Sequence, residues 1–182
     1  VMKGLSSKTI LEHHRLLHAM LQNAVYWQIL PYNPADRVKP PKHQRPQIKY
    51  YDDIQCKQLL EALENEEIKF QTIIILTLFT GMRRGEVLGL EWSDIDFDNG
   101  FVHITKASQY TSEKGIFVKN PKTQSSIREV GIPDIVINML KKYRTWYEAE
   151  KEKCGNLWIN SNRLFVTWNG SPMHPDTVTD WF

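Results

Sequence analysis

Polar and apolar positions change their period several times along the chain, and each change marks an element. From Ser6 onward, Ile10, Leu17, Leu21, Ala24 and Val25 recur at helical spacing as far as about Gln28. Ser6-Ser7-Lys8-Thr9 offers a serine cap at the start, and Pro31 with Asn33-Pro34 ends the pattern. Val38 to Pro46 has no periodic apolar residues and mixes proline with cations, which is the chemistry of a stiff, extended linker. A domain boundary is expected there, with residues 1–39 before it, a basic linker at 40–47 and a second domain over 48–182.

Helical spacing returns after the linker. Asp52 or Asp53 can cap a helix to about Leu63, and Asn65-Glu66-Glu67 introduces an apolar helix ending near Phe79. A further helix is predicted over roughly 83–89. Trp92 to Phe97 and Phe101 to Ile104 then alternate apolar with polar residues around Asp98-Asn99-Gly100, a hairpin signal, because Asn-Gly accepts the positive φ of a tight turn. Ile116-Phe117-Val118 and Arg128 to Ile132 read as further strands. Pro133-Asp134 opens a long amphipathic helix to about Lys153, Leu164-Phe165-Val166 reads as a short strand or buried connection, and Pro175-Asp176 begins a last helix. The order gives an α+β fold, mainly α, with a small antiparallel sheet.

Composition narrows the class. The 182 residues are 41% hydrophobic and 24% charged, as in an ordinary soluble globular protein. The longest apolar run, Ile68 to Phe79, is interrupted by Lys69, Gln71, Thr72 and Thr77 and falls short of the roughly 20 residues a membrane span needs. Val1-Met2-Lys3-Gly4 leads into a polar segment, with no signal-peptide pattern. Cys56 and Cys154 are isolated, which makes a reducing cytoplasm the default.

The net charge of +2 hides an asymmetry. Residues 1–50 hold eight Lys/Arg against two Asp/Glu, residues 51–100 four against eleven, and residues 101–182 eleven against eight. A basic arm beside an acidic block fits one face meeting a polyanion, and equally two solvated patches of opposite sign. His14 and His18 have the i, i+4 spacing that could hold a metal, but no Cys pair accompanies them, so a solvated or DNA-facing surface is expected. No phosphate-cradling glycine loop, zinc pattern or Gly-x-Ser-x-Gly elbow occurs.

The densest chemistry lies in Thr80-Gly81-Met82-Arg83-Arg84-Gly85-Glu86-Val87-Leu88-Gly89-Leu90, followed by Glu91-Trp92-Ser93-Asp94-Ile95-Asp96. Arginine delivered from the end of a buried helix is held rigidly, as a phosphate-handling site requires. Glu86 follows Arg83 by three residues and shares its face; on spacing alone the two could be a surface ion pair contributing under about 1 kcal/mol. The stretch resembles the first arginine box of the tyrosine recombinases, the phage-integrase family. Pro121-Lys122-Thr123-Gln124-Ser125-Ser126-Ile127-Arg128-Glu129-Val130-Gly131-Ile132-Pro133 resembles that family's lysine-bearing segment. Gly4 to Ile10 and Asn33 to Pro41 resemble the end of its helical core-binding domain.

The resemblance implies a helical catalytic domain preceded by the end of a DNA-binding domain, in an enzyme of site-specific DNA recombination. It implies Arg83 as the catalytic arginine that grips the scissile phosphate, Glu86 as its support, and Lys122 as the general acid, with Lys119 as the nearby competitor. Lys39, Lys42, Arg45, Arg84, Lys119 and Arg128 are the expected DNA contacts. Double-stranded DNA is the expected partner and a homotetramer the expected assembly of a full-length parent, with this chain alone a monomer. No cofactor is implied, because Arg and Lys neutralise charge without a metal and a phosphotyrosyl link stores the bond energy without ATP. The family's H-x-x-R box and nucleophilic tyrosine have no counterpart here: His174 lacks an arginine three residues later, and none of the seven tyrosines occupies the nucleophile's place. The chain is therefore expected to be an inactive fragment of such an enzyme, with a non-enzymatic DNA-binding remnant or a helical interaction module as the alternatives.

Overall fold

The computed structural model describes residues 4–42, 47, 50–119 and 127–182. Two compact units result, Val1–Tyr51 and Asp52–Phe182. The first is built on helix α1 (Ser7–Tyr26), whose cap forms when the Ser6 hydroxyl accepts the Thr9 amide at 3.1 Å. Asn33 folds the following chain back. Its Nδ2 donates to the His18 carbonyl and to Gln22 Oε1, while its Oδ1 accepts the Ala35 amide, so this buried amide is satisfied on both ends. His18 faces Asp36 Oδ1 at 2.7 Å through Nε2, an intramolecular contact that occupies one of the two histidines with metal spacing.

The second unit begins with α2 (Asp53–Leu63), where Asp52 and Gln55 form a reciprocal capping box. Helix α3 (Ile68–Thr80) is the apolar rod of the core, and its buried Thr72 returns its hydroxyl to the Ile68 carbonyl at 2.6 Å. Gly81 ends α3 in the left-handed region at φ 61°. Helix α4 (Arg84–Val87) is a single turn, shorter than the pattern predicts, because Gly89 and the extended Glu91 stop it. Strands β1 (Ile95–Asp96), β2 (Phe101–Ile104) and β5 (Arg128–Gly131) form an antiparallel sheet in the order β1-β2-β5. Strands β3 (Ala107–Thr111) and β4 (Gly115–Lys119) form a separate hairpin. Helix α5 (Asp134–Cys154) packs on α3, and the short α6 (Thr177–Trp181) closes the chain.

The β1–β2 connection is a four-residue loop, not a two-residue turn. Asp96 Oδ1 accepts the Asp98 and Asn99 amides at 3.1 and 2.9 Å, and Gly100 alone in the loop takes a positive φ, 72°. Leu76, Val102, Val136, Leu140, Tyr143 and Phe165 are fully buried at the centre, so α3, α5, the sheet and the 164–166 segment share one core. Tyr143 buries its hydroxyl on the Leu164 carbonyl at 3.0 Å, and burial pushes its ionisation well up. The architecture is mainly α with small antiparallel sheets. Among the described residues no helix is long and apolar enough to cross a membrane.

Candidate active site

Arg83 sits in the joint between α3 and α4. Met82 before it and Val87 and Leu88 after it are buried, so the backbone at Arg83 is pinned on both sides. Arg83 itself is extended, at φ −70° and ψ 149°, which places its amide at the open start of α4. That amide donates to Glu86 Oε2 at 2.9 Å, and the guanidinium donates from Nη1 to Glu86 Oε1 at 3.0 Å. The Arg83 side chain is nevertheless 80% exposed. Its base is fixed and its tip is open.

Glu86 is the hinge of the arrangement, and only 7% of it is exposed. From β5, Arg128 donates to both of its oxygens, Nη1 to Oε1 at 3.2 Å and Nη2 to Oε2 at 2.8 Å. The Arg128 hydrogen bond is the main reason the Glu86 carboxyl titrates at about 2; burial opposes the shift, and the Arg83 amide and guanidinium add to it. The Arg128 guanidinium is in turn pushed to hold its proton more firmly by Glu86. One carboxylate thus serves two arginines, leaving a net positive charge at the joint.

Glycines bring the β3–β4 hairpin onto this turn. A Cβ on Gly85 would stand 2.9 Å from the Ser108 carbonyl oxygen, and one on Gly89 3.0 Å from the Ala107 Cα and the Ser108 nitrogen. Glycine at both positions lets α4 lie against the backbone of β3. At the far end of the turn, Lys106 bridges Glu91 and Asp94 at 3.0 and 3.1 Å, and the buried Arg163 reaches back to the Gly89 carbonyl.

The residues named from the sequence fall into three groups. Arg83, Glu86 and Arg128 are in direct contact. The Arg84 guanidinium donates to Thr179 and pairs with Asp176 at 3.1 Å, which ties α4 to α6. Lys119 is exposed at the end of β4, and Lys39 and Lys42 are exposed in the first unit. Lys122 and Arg45 lie outside the described residues. The sequence does not announce the Arg128–Glu86 bond, since 42 residues separate the pair, nor the buried Arg163. Two glycines four apart on a helical pattern, Gly85 and Gly89, are the one local sign of a close approach. Among the described residues no cluster of three or more His, Cys, Asp or Glu could hold a metal.

Residues 49–182 match the model of the phage integrase family. A tyrosine recombinase XerC-like protein of Caldanaerobacter subterraneus subsp. tengcongensis is 33% identical, over 87% of this chain and 44% of that protein. The ICEBs1 integrase of Bacillus subtilis is 30% identical, over 86% of this chain and 41% of that protein. Among solved structures, the Tn1549 transposon integrase in complex with a circular intermediate DNA superposes with a TM-score of 0.80 at 25% identity, over 94% of this chain and 55% of that one. The chain spans about half the length of the relatives it matches.

Proposed function

This chain belongs to the phage integrase family, and we propose that it works in site-specific DNA recombination as part of a tyrosine recombinase of a mobile element. The observation that carries the reading is the joint at Arg83, an arginine immobilised at its base by buried Glu86 and open at its guanidinium. Such a group can meet the non-bridging oxygens of a phosphodiester and stabilise the extra charge of the transition state. The similarity to integrases that act on DNA supports the same partner, double-stranded DNA, for this chain.

In the proposed reaction a tyrosine hydroxyl attacks the phosphorus and forms a 3′-phosphotyrosyl ester as the bond to the 5′ oxygen breaks. Lys122 gives its proton to that leaving oxygen, and a 5′ hydroxyl later reverses the step. Residues 48–182 would supply the arginine and lysine half of the site, and residues 1–39 the end of a DNA-binding domain, with 40–47 as linker. Exposed Lys39, Lys42 and Lys119, together with Arg45, are the proposed phosphate contacts. The assembly on DNA would be a homotetramer, acting in the cytoplasm.

Two measurements test this. The 182-residue chain should bind duplex DNA with an affinity that falls by at least roughly tenfold between 50 and 200 mM salt. The full-length protein should form a covalent adduct on a nicked suicide substrate, seen as a shifted band on a denaturing gel. Binding without an adduct would favour a DNA-binding remnant, and no binding at low salt would favour an interaction module with no nucleic-acid role.

A further inference from the structure

Three of the six tryptophans, Trp146, Trp158 and Trp168, converge on one pocket of about 530 Å³. Ligand sites fall in the range of roughly 300–1,000 Å³. The pocket is lined from the start of α3, the second half of α5 and the 158–168 segment. Arg83 lies just past the other end of α3, whose 13 residues rise about 20 Å. The two sites are therefore separate.

Folding accounts for two of the three rings. Trp146 stacks on the buried Tyr143 at 5.5 Å, and Trp158 stands edge-on to Tyr147 at 5.3 Å. Gly170 lies so close to Trp158 that a Cβ there would be 2.7 Å from Cε2 of the indole. Folding gives no such account of Trp168, which is 71% exposed. Its backbone is nevertheless fixed in a turn: the Thr167 amide donates to the Ser171 carbonyl at 2.9 Å, and the Gly170 amide to the Thr167 carbonyl at 3.1 Å. A firmly presented, exposed tryptophan beside a pocket is the kind of side chain that dominates binding surfaces.

The charged groups select the ligand. Glu67 stands at the N-cap of α3, but its carboxylate caps no amide. Glu150 lines the pocket from α5, and Lys153, outside the lining, holds its Oε1 at 2.6 Å. Lys69 is the one cation of the lining, its Nζ 5.9 Å over the Trp146 ring and 3.9 Å from Glu67. Two carboxylates against one ammonium leave the lining one negative charge in excess. Indole faces attract cations as well. Lys69 serves the Trp146 side, and among the described residues no cation stands over Trp158 or Trp168.

We propose that this pocket binds an arginine side chain of a partner protein, with the guanidinium against Trp158 and Trp168 and paired with the carboxylates of Glu67 and Glu150. A planar guanidinium stacks on an indole and bonds a carboxylate in its own plane, which the compact ammonium of lysine cannot do. The excess negative charge disfavours a phosphate backbone at the same place. The proposal is independent of the reading of Arg83.

The test is an NMR titration of the 182-residue chain, followed at the tryptophan indole N–H signals. The probes are capped Gly-Ser-X-Ser-Gly peptides with X as arginine, lysine, citrulline or glutamate. The arginine peptide should shift the Trp158 and Trp168 signals, with Kd roughly 1–10 mM for one stacked and paired side chain, and leave Trp92 and Trp181 in place. Lysine should bind about twofold to fivefold more weakly, and uncharged citrulline at least about fivefold. Trp168→Ala and the Glu67→Gln/Glu150→Gln double variant should each weaken the arginine peptide by at least about threefold at an unchanged Tm.

No shift at Trp158 and Trp168 up to about 20 mM peptide would overturn the proposal, as would arginine binding that survives both variants. Citrulline binding as well as arginine would make the pocket an apolar surface, and glutamate binding best would make Lys69 the anchor of an anion site; either result sinks the assignment. If the 182-residue chain binds the arginine peptide and the full-length protein does not, a segment of the longer chain fills the pocket and the separate partner is ruled out.

Discussion

Arg163 donates from Nη1 to the carbonyl oxygen of Gly89 at 2.6 Å, 74 residues away in sequence and with only 6% of the arginine exposed. The bond satisfies the Gly89 carbonyl two residues past the end of α4 and ties that turn to the chain at Arg163. It also holds the 164–166 segment in place, because the next residue, Leu164, donates its amide to the Leu90 carbonyl at 2.8 Å.

Replacing Arg163 with methionine keeps much of the apolar stem but removes the donor. A hydrogen bond from a charged group contributes about 1.5–3 kcal/mol, so the loss should lower Tm by roughly 5–12 °C for a unit of this size. Thermal unfolding followed by circular dichroism checks it. A shift below 2 °C would mean that the Gly89 carbonyl finds another partner at no cost.

Glu86 supplies a pH dependence with a definite sign. Its ordinary value is 4.5 and its folded value about 2, so the folded state binds this proton less readily than the unfolded one. A carboxyl depressed in this way stabilises the fold fully above about 4.5, and the contribution is lost as pH falls toward 2; it amounts to roughly 3 kcal/mol. Urea unfolding of wild type and Glu86→Gln at pH 7, 5 and 3 reads it. The gap between the two should be widest at pH 7 and narrow by pH 3, and parallel curves would contradict the assignment.

Alanine at Gly89 sets two effects against each other. At a backbone angle that alanine can adopt, replacing glycine stabilises by about 0.4–1 kcal/mol because the unfolded chain has less freedom to lose. Against it, the added Cβ meets backbone atoms of β3 at 3.0 Å, and overpacking against backbone costs about 1–3 kcal/mol. The steric effect should win, so Gly89→Ala should be less stable than wild type and should loosen the hairpin that leads to Lys119. Equal or higher stability, measured by urea midpoint, would show that β3 moves aside without penalty.

The parts of the structure that are legible in the sequence are those set by nearby residues. Ser6, Asp52 with Gln55, and Gly81 each mark a helix end through bonds or backbone angles within a few positions. The pairing of Arg83 with Glu86 follows in the same way from a spacing of three. Strand β3 is not legible, because Ala107-Ser108-Gln109-Tyr110-Thr111 has no apolar alternation and its one buried side chain is a serine. It is a strand because it pairs with β4 over five positions, and two glycines let it approach the α4 turn. Arg84 shows the limit for side chains: its charge is plain in the sequence, but its partners Asp176 and Thr179 come from an element more than ninety residues on. Arg128 and Glu86 meet across 42 residues for the same reason.

Arg83 separates stability from chemistry more cleanly than any other residue of the site. Its side chain is 80% exposed, and among the described residues its guanidinium contacts Glu86 alone. An exposed pair of this kind contributes about 0–1 kcal/mol, while Glu86 keeps its fork to Arg128 when Arg83 is shortened. Arg83→Ala should therefore leave Tm within about 3 °C of wild type. In the proposed reaction the same change removes a donor aimed at charge that develops only in the transition state, where one such donor is worth roughly a hundredfold to a thousandfold in rate. Single-turnover cleavage by the full-length variant should fall by at least that factor, with DNA affinity changed less than about threefold, since one phosphate contact among several is lost. A variant that melts much earlier than wild type would make Arg83 a structural arginine. One that folds normally and cleaves at the wild-type rate would remove it from the site altogether.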